Sequence, residues 1–241
     1  MTEMGGADDV YEFSNGVAVF RRHLLEIQIA RYQSEGNSNR HEPEEEDWLA
    51  RVLGGIESAE PSVFDVGAGI GYYALLVLKL RPSAKIKAFE PLPEHFAALQ
   101  ENLTLNQVSG SRVSCVNEAA YDRNGVLAFE KLSYSSHLID SETPISKGEQ
   151  ISVTARDVAE IIRNEPVPVD LMKIDIQGSE VALLERIVGT DCSGLVKNLI
   201  IGTHGQERHD RCLEIAKNRW RIIHEDPAPE FQMDGLIVAS I

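Results

Sequence analysis

The chain is poor in positive charge. Its 241 residues include 23 Lys or Arg against 38 Asp or Glu, a formal net charge of −15. Sequence-independent binding to DNA or RNA rests on basic side chains neutralising phosphates, so nucleic acid is not expected as a partner. Anionic membrane surfaces are disfavoured for the same reason. The first lysine is Lys79, and residues 1–60 hold 13 acidic and 5 basic side chains. Cysteine is also scarce. Cys115, Cys192 and Cys212 are widely spaced and odd in number, so they form neither a disulfide framework nor a CxxC metal knuckle. Three reduced thiols suit a cytoplasmic protein. No apolar run approaches the ~18 residues a membrane-spanning helix needs. The opening MTEMGGADDV has no basic segment followed by an apolar one, so no secretory signal is expected there.

What remains is ordinary in bulk: 43% hydrophobic and 25% charged residues, as in soluble globular proteins. The length suits one large domain with a small appendage. We place the boundary near residue 58, with an N-terminal helical cap and lid segment over 1–58 and a ligand-binding domain over 59–241. In the first part, Val17, Phe20, Leu24, Ile27 and Tyr32 fall near one helical face. Residues 34–47 read as a flexible loop ending in an acid run, and that run as the solvated start of a short helix.

From residue 61, short β-rich runs alternate with helical patterns. Strands are expected at 62–66, 85–89, 112–116, 169–174, 197–202, 220–224 and 235–240, and helices at 71–80, 93–105, 179–188 and 206–218. This alternation predicts an α/β fold with a mostly parallel seven-stranded sheet, helices on both faces and an antiparallel C-terminal strand. Asn124-Gly125 predicts a hairpin turn between the flanking segments. Residues 133–150 read as a long loop, which together with the N-terminal segment would close over the site.

The strongest local signal is VFDVGAGIGYYALL, residues 63–76. A strand ends at Asp65-Val66; Gly67, Gly69 and Gly71 follow at spacing two; a helix begins. Glycines allow a sharp turn and close approach of a ligand to the main chain, and a helix N-terminus offers free N–H groups. Glu90 ends the next strand, where a carboxylate can hold a ribose diol. A dinucleotide fingerprint would need its third small residue at Tyr72, which is too large. That argues against a nicotinamide-dependent oxidoreductase. The spacing D-x-G-x-G-x-G with a following acid resembles S-adenosylmethionine-dependent methyltransferases of the Rossmann-like class.

Further motifs narrow the resemblance. VDLMKIDIQGSEVALLERI (169–187), HEPEEEDWLARVL, VNEAAYDRNGVLAFE, VTARDVAEII and LIIGTHG occur in the order and form of the FkbM family of methyltransferases. The resemblance covers about residues 41–241. It implies S-adenosylmethionine as cofactor, wrapped by Asp65, Gly67, Gly69 and Gly71, with Glu90 on the ribose and Asn117 and Glu118 bordering the adenine. Asp175 would sit beside the methyl group or substrate, and His204 would face the acceptor. Two positions depart from the family pattern: Gln177 and Gly202 each stand where a glutamate is usual.

The implied function is methylation of a small molecule, first of all O-methylation of a hydroxyl in natural-product or sugar modification. N-methylation of an amine or amide and a non-catalytic binding protein stay open. For a hydroxyl acceptor the candidate bases are His204, Asp175 and His137, His204 first because an ordinary imidazole pKa of ~6.5 suits the task. A divalent metal on Asp175 and His204, with His209-Asp210 nearby, is left open and not favoured. Strand four lacks the Asn/Asp-Pro-Pro-aromatic element of base methylases. Nothing in the sequence sets the oligomeric state.

Overall fold

The computed structural model describes residues 10–131, 137–138 and 149–241. The predicted sheet forms from β1 (Ser62–Val66), β2 (Lys85–Phe89), β3 (Val113–Val116), β4 (Leu171–Ile174), β5 (Asn198–Thr203), β6 (Arg221–Asp226) and β7 (Gly235–Ser240). The strand order is β6-β7-β5-β4-β1-β2-β3. Five strands pair in parallel, β6 runs in the same direction, and β7 alone is reversed, antiparallel to both β5 and β6. The order reverses between β1 and β4, which makes their carboxyl ends the place where an open α/β sheet binds ligands.

Strand alternation divides the core. Val63, Leu171, Ile200, Leu236 and Val238 face one hydrophobic cluster together with helices α2 (Pro43–Gly55), α3 (Tyr72–Leu80) and α4 (Pro93–Leu105). Their neighbours Phe64, Met172, Ile201 and Ile237 face a second cluster, with α5 (Val158–Arg163), α6 (Glu180–Val188) and α7 (Gln206–Ala216). Side chains of period two thus supply both cores from the same strands. The alternation also sets Asp65 and Lys173, paired in register across β1 and β4, at the carboxyl ends of the residues facing α2.

The N-terminal segment differs from the single helical face expected for it. Ala18–Phe20 pairs antiparallel with Val10–Glu12, a short 3-10 turn follows, and α1 spans only Glu26–Tyr32. Val17 and Tyr32 are buried, whereas Ile27 is 69% exposed. Side-chain amides dictate this outcome: Asn102 of α4 and Asn106 just past its end bond the edge of Ala18–Phe20, with Phe20 N–H donating to Asn102 Oδ1 at 3.0 Å. Part of the expected loop 34–47 is ordered by Asn37, which is buried and accepts from Arg40 N–H at 2.8 Å.

The hairpin expected at Asn124-Gly125 does not form. Strand Glu149–Asp157 lies between the two segments, parallel to Ala119–Tyr121 and antiparallel to Gly125–Lys131. The Asn124 side chain caps that central strand by accepting from Asp157 N–H at 2.9 Å. Most of the loop read at 133–150 lies outside the described residues. Among the described residues, no helix is long and apolar enough to cross a membrane.

The turn after β1 is the tightest point of the fold. Gly67 has φ +84°, and a Cβ there would stand 1.8 Å from the Asp175 carbonyl oxygen. Gly67→Ala is therefore expected to cost about 3 kcal/mol or more. Urea unfolding measures this directly, and an unchanged midpoint would contradict the contact.

Candidate active site

The carboxyl ends of β1, β2, β4 and β5 open onto one cavity of about 920 Å³. Gly67, Ala68, Gly69 and Glu90 line it, as do Asp175, His204 and Asp234. The glycine loop is fixed from beneath: Gly67 N–H and Ala68 N–H both donate to the Phe89 carbonyl, at 3.0 and 2.9 Å. Glu90 then binds the loop from the side. Its Oε2 accepts from Gly69 N–H at 2.8 Å and its Oε1 from Leu92 N–H at 2.9 Å. Burial pushes Glu90 up to about 7, against the pull of these two N–H groups. Each oxygen keeps a lone pair for a further donor. Gly69 has φ +53° and no atom within 4 Å of where a Cβ would be, so the backbone there lies open to a ligand.

Part of the acid run of α2, expected to be solvated, turns inward, while Asp47 stays exposed. Glu42, Glu45 and Glu46 are at most 5% exposed. Glu46 accepts from the Tyr72 hydroxyl at 2.6 Å, Arg40 Nε at 3.0 Å and two backbone N–H groups. Glu42 accepts from the Tyr73 hydroxyl at 2.6 Å. Glu45 reaches Lys173 Nζ at 3.3 Å, and the same ammonium lies 3.3 Å from Asp175 Oδ2 and 4.0 Å above the Tyr73 ring. Burial disfavours the Lys173 charge, yet Glu45, Asp175, Asp65 and Glu42 together hold its pKa above the ordinary range. Burial moves Glu45 up to about 8 although Lys173 opposes it. The tyrosine hydroxyls and this lysine are what let the acids enter the core.

His204 leaves the end of β5 into a ring of carboxylates. Its Nδ1 lies 2.8 Å from Glu180 Oε1, and its Nε2 faces Asp234 Oδ1 at 3.3 Å and Asp175 Oδ1 at 3.6 Å. Glu180 is fully buried and anchored by Gly178 N–H at 2.9 Å and Ile176 N–H at 3.3 Å. Burial lowers the imidazole pKa, but Asp234, Glu180 and Asp175 more than reverse that and raise it to about 11. That shift works against the base role expected of His204. Lys173 and His204 keep Asp175 below the usual carboxylate range despite its burial.

The cavity gathers Gly67, Gly69, Glu90, Asp175 and His204 from the expected set. Four others lie outside its lining. Gly71 starts α3 with φ +88°, and a Cβ would meet Leu99 Cδ1 at 2.5 Å, so its need is packing. Asp65 is sealed below the loop, where burial raises it to about 6. Asn117 donates to the carbonyls of Glu90 and Pro91 at 2.8 and 3.1 Å, and Glu118 pairs with Arg156 at 3.5 Å. His137 lies in a two-residue strand whose side chains are outside the described residues. His209, named as lying near the Asp175–His204 pair, is buried between Thr203 Oγ1 at 2.8 Å and Glu225 Oε2 at 3.2 Å. It is thereby kept out of the Asp175–His204 group.

Sequence reasoning missed Asp234, Glu45 and Lys173. Lys173 and Glu45 were legible only as an apolar strand interrupted by a cation and as an acid run. The two family departures also acquire a physical sense. Gln177, at φ +54°, donates its amide to Asp175 Oδ1 at 3.3 Å. A Cβ on Gly202 would point 3.7 Å from Glu45 Oε2, so a carboxylate from α2 stands beside the place where β5 lacks one.

The family model for the methyltransferase FkbM domain matches residues 65–218. The chain belongs to the FkbM methyltransferase family. Methyltransferase 1 of Beauveria bassiana is 25% identical over 157 residues, covering 58% of this chain and 63% of its own. The 31-O-demethyl-FK506 methyltransferase FkbM of Streptomyces tacrolimicus is 28% identical over 160 residues, covering 54% and 60%. The chain thus matches about three-fifths of the length of these relatives. The crystal structure of methyltransferase FkbM from Methylobacillus flagellatus has the same fold, with a TM-score of 0.54 at 17% identity over 77% of this chain and 45% of that one.

In this FkbM-family chain, Glu90 has a folded pKa near 7, above its unfolded value. Its contribution to stability is complete below pH ~4.5 and is lost as pH rises through about 7. Glu90→Gln should remove that slope, worth up to about 3 kcal/mol. Urea midpoints of both proteins from pH 5 to 8 test this, and parallel pH profiles would contradict it.

Proposed function

We propose that the chain transfers a methyl group from S-adenosylmethionine to a hydroxyl of a small molecule, in natural-product or sugar modification. Family membership supports methyl transfer, and the Streptomyces relative is named for an O-demethyl acceptor. The observation that carries the reading is the shared cavity. An open glycine backbone and a buried acid at the end of β2 line it together with the charged ends of β4 and β5. In this reading residues 1–58 form the cap and 59–241 the cofactor-binding domain.

The residues present fit the cofactor. Gly69 leaves the main chain bare to the ligand, and the Glu90 carboxylate is preset by two N–H groups with lone pairs to spare for a ribose diol. Gly67 joins this pocket to the acceptor side, since its backbone touches the Asp175 carbonyl. Bound there, S-adenosylmethionine would supply a methyl carbon on a positive sulfur; the acceptor oxygen would bond that carbon as the carbon–sulfur bond breaks, the electron pair would return to sulfur, and the hydroxyl proton would pass to the Asp175 carboxylate.

The chain's own work is positioning and charge. Leu24, Leu25 and Tyr32 of the N-terminal segment, with Phe129 and Met233, give the cavity an apolar wall, which keeps water from the reacting atoms. Holding the partners at ~3–3.5 Å in line can supply ~7–11 kcal/mol. Asp175, at the junction, is ionised and faces the acceptor side, where positive charge is consumed as the methyl group leaves sulfur.

Calorimetry with S-adenosylhomocysteine tests the cofactor site. Glu90→Ala should weaken binding by ~1–3 kcal/mol, about 5- to 150-fold, through lost charged hydrogen bonds. Wild-type affinity should rise with pH through about 7, as Glu90 ionises. Equal affinity of the two proteins would displace the ribose from Glu90. Label transferred from the methyl donor to a hydroxylated acceptor tests the reaction, and an inert chain that binds the cofactor would refute it.

A further inference from the structure

The acceptor end of the cavity brings Asp175, His204 and Asp234 together from three different chain segments. One atom from each, His204 Nε2 and a carboxylate oxygen of each aspartate, lies within 4.8 Å of the other two. The spacing distinguishes two explanations. A charge-assisted N–H···O bond runs at ~2.7–2.9 Å, and His204 makes such a contact at Nδ1, 2.8 Å from Glu180. At Nε2 the aspartates stand off at 3.3 and 3.6 Å, and this nitrogen is shielded from solvent with no hydrogen-bond partner. Ligands ~2.0–2.2 Å from one ion lie about 3 Å apart when adjacent and about 4 Å apart when opposite. The two separations from His204 Nε2 fall in that range.

Two further observations concern what surrounds the trio. A metal-binding imidazole commonly donates its other N–H to a carboxylate, which fixes ring and tautomer. Glu180 occupies that position, fully buried and held by two backbone N–H groups. The neighbourhood is also rich in carboxyl groups: Asp175, Asp234, Glu180, Glu42 and Glu45 stand around two basic side chains, Lys173 and His204, and Glu45 Oε1 is buried without a hydrogen bond. Glu42, Glu45 and Glu180 are at most 5% exposed.

We propose that Asp175, His204 and Asp234 form a site for one divalent transition-metal ion, whose open positions face the cavity and hold the acceptor oxygen. One imidazole with two carboxylates suits Mn²⁺ or a similar ion over Mg²⁺ and Ca²⁺, which take shells of oxygen. The ion would act as a Lewis acid on the acceptor hydroxyl and lower its pKa. The catalytic role rests on the transfer reading above; the binding itself does not.

The test uses Mn²⁺ alone, added to the full chain after chelation, with free Mn²⁺ counted by electron paramagnetic resonance. One ion per chain is expected, held at least tenfold more tightly than Mg²⁺ in competition. Asp234→Asn should weaken it tenfold or more while the protein melts cooperatively. His204→Gln serves as the second variant, with the same expected loss, should the first not fold. Absence of stoichiometric binding up to about 1 mM, or binding that both variants retain, would overturn the site. Mn²⁺ binding in a chain that transfers no methyl group would leave the site standing and refute the reaction instead.

Discussion

The site depends on the contact of Gly67 with the carbonyl of Asp175. With no Cβ between them, the turn after β1 and the end of β4 close to backbone distance at the point where the strand order reverses. The glycine loop, which needs bare main chain for a ligand, is therefore pressed against the segment bearing the acceptor-side acids. Gly67 N–H and Ala68 N–H tie the same turn to Phe89, so that Glu90 of β2 is delivered beside Gly69. Three strand ends converge because one residue lacks a side chain.

The second constraint is electrostatic. The strand face toward α2 ends in Asp65 and Lys173, and α2 begins with Glu42, Glu45 and Glu46 turned toward it. Such burial is tolerable where partners exist, and Tyr72, Tyr73, Arg40 and Lys173 provide them. Charges near Asp175 and His204 act at short range with little solvent to screen them. The cavity thus joins a charged end to an apolar wall.

Much of this was legible in the sequence where local pattern and tertiary role agree. The seven strands and the helices after them fell where apolar runs and period-3.6 segments put them, because each is buried by the sheet it belongs to. The glycine spacing and Glu90 were readable for the same reason: backbone conformation and strand-end chemistry are local. The misread parts are set by distant partners. Ala18–Phe20 is a strand because Asn102 and Asn106 bond its edge, and the acids of α2 are buried because tyrosines and a lysine far along the chain await them. The Asn124-Gly125 turn has the chemistry of a hairpin, but Glu149–Asp157 inserts between its arms. Asp234 carries no local signal at all.

The most direct measurement is the electron density of the chain crystallised with S-adenosylhomocysteine. The account predicts the ribose hydroxyls within hydrogen-bond distance of Glu90, the main chain of Gly67–Gly69 against the ligand, and the sulfur directed toward Asp175 and His204. Density for the ligand elsewhere on the molecule, with this cavity holding only solvent at saturating concentration, would contradict it.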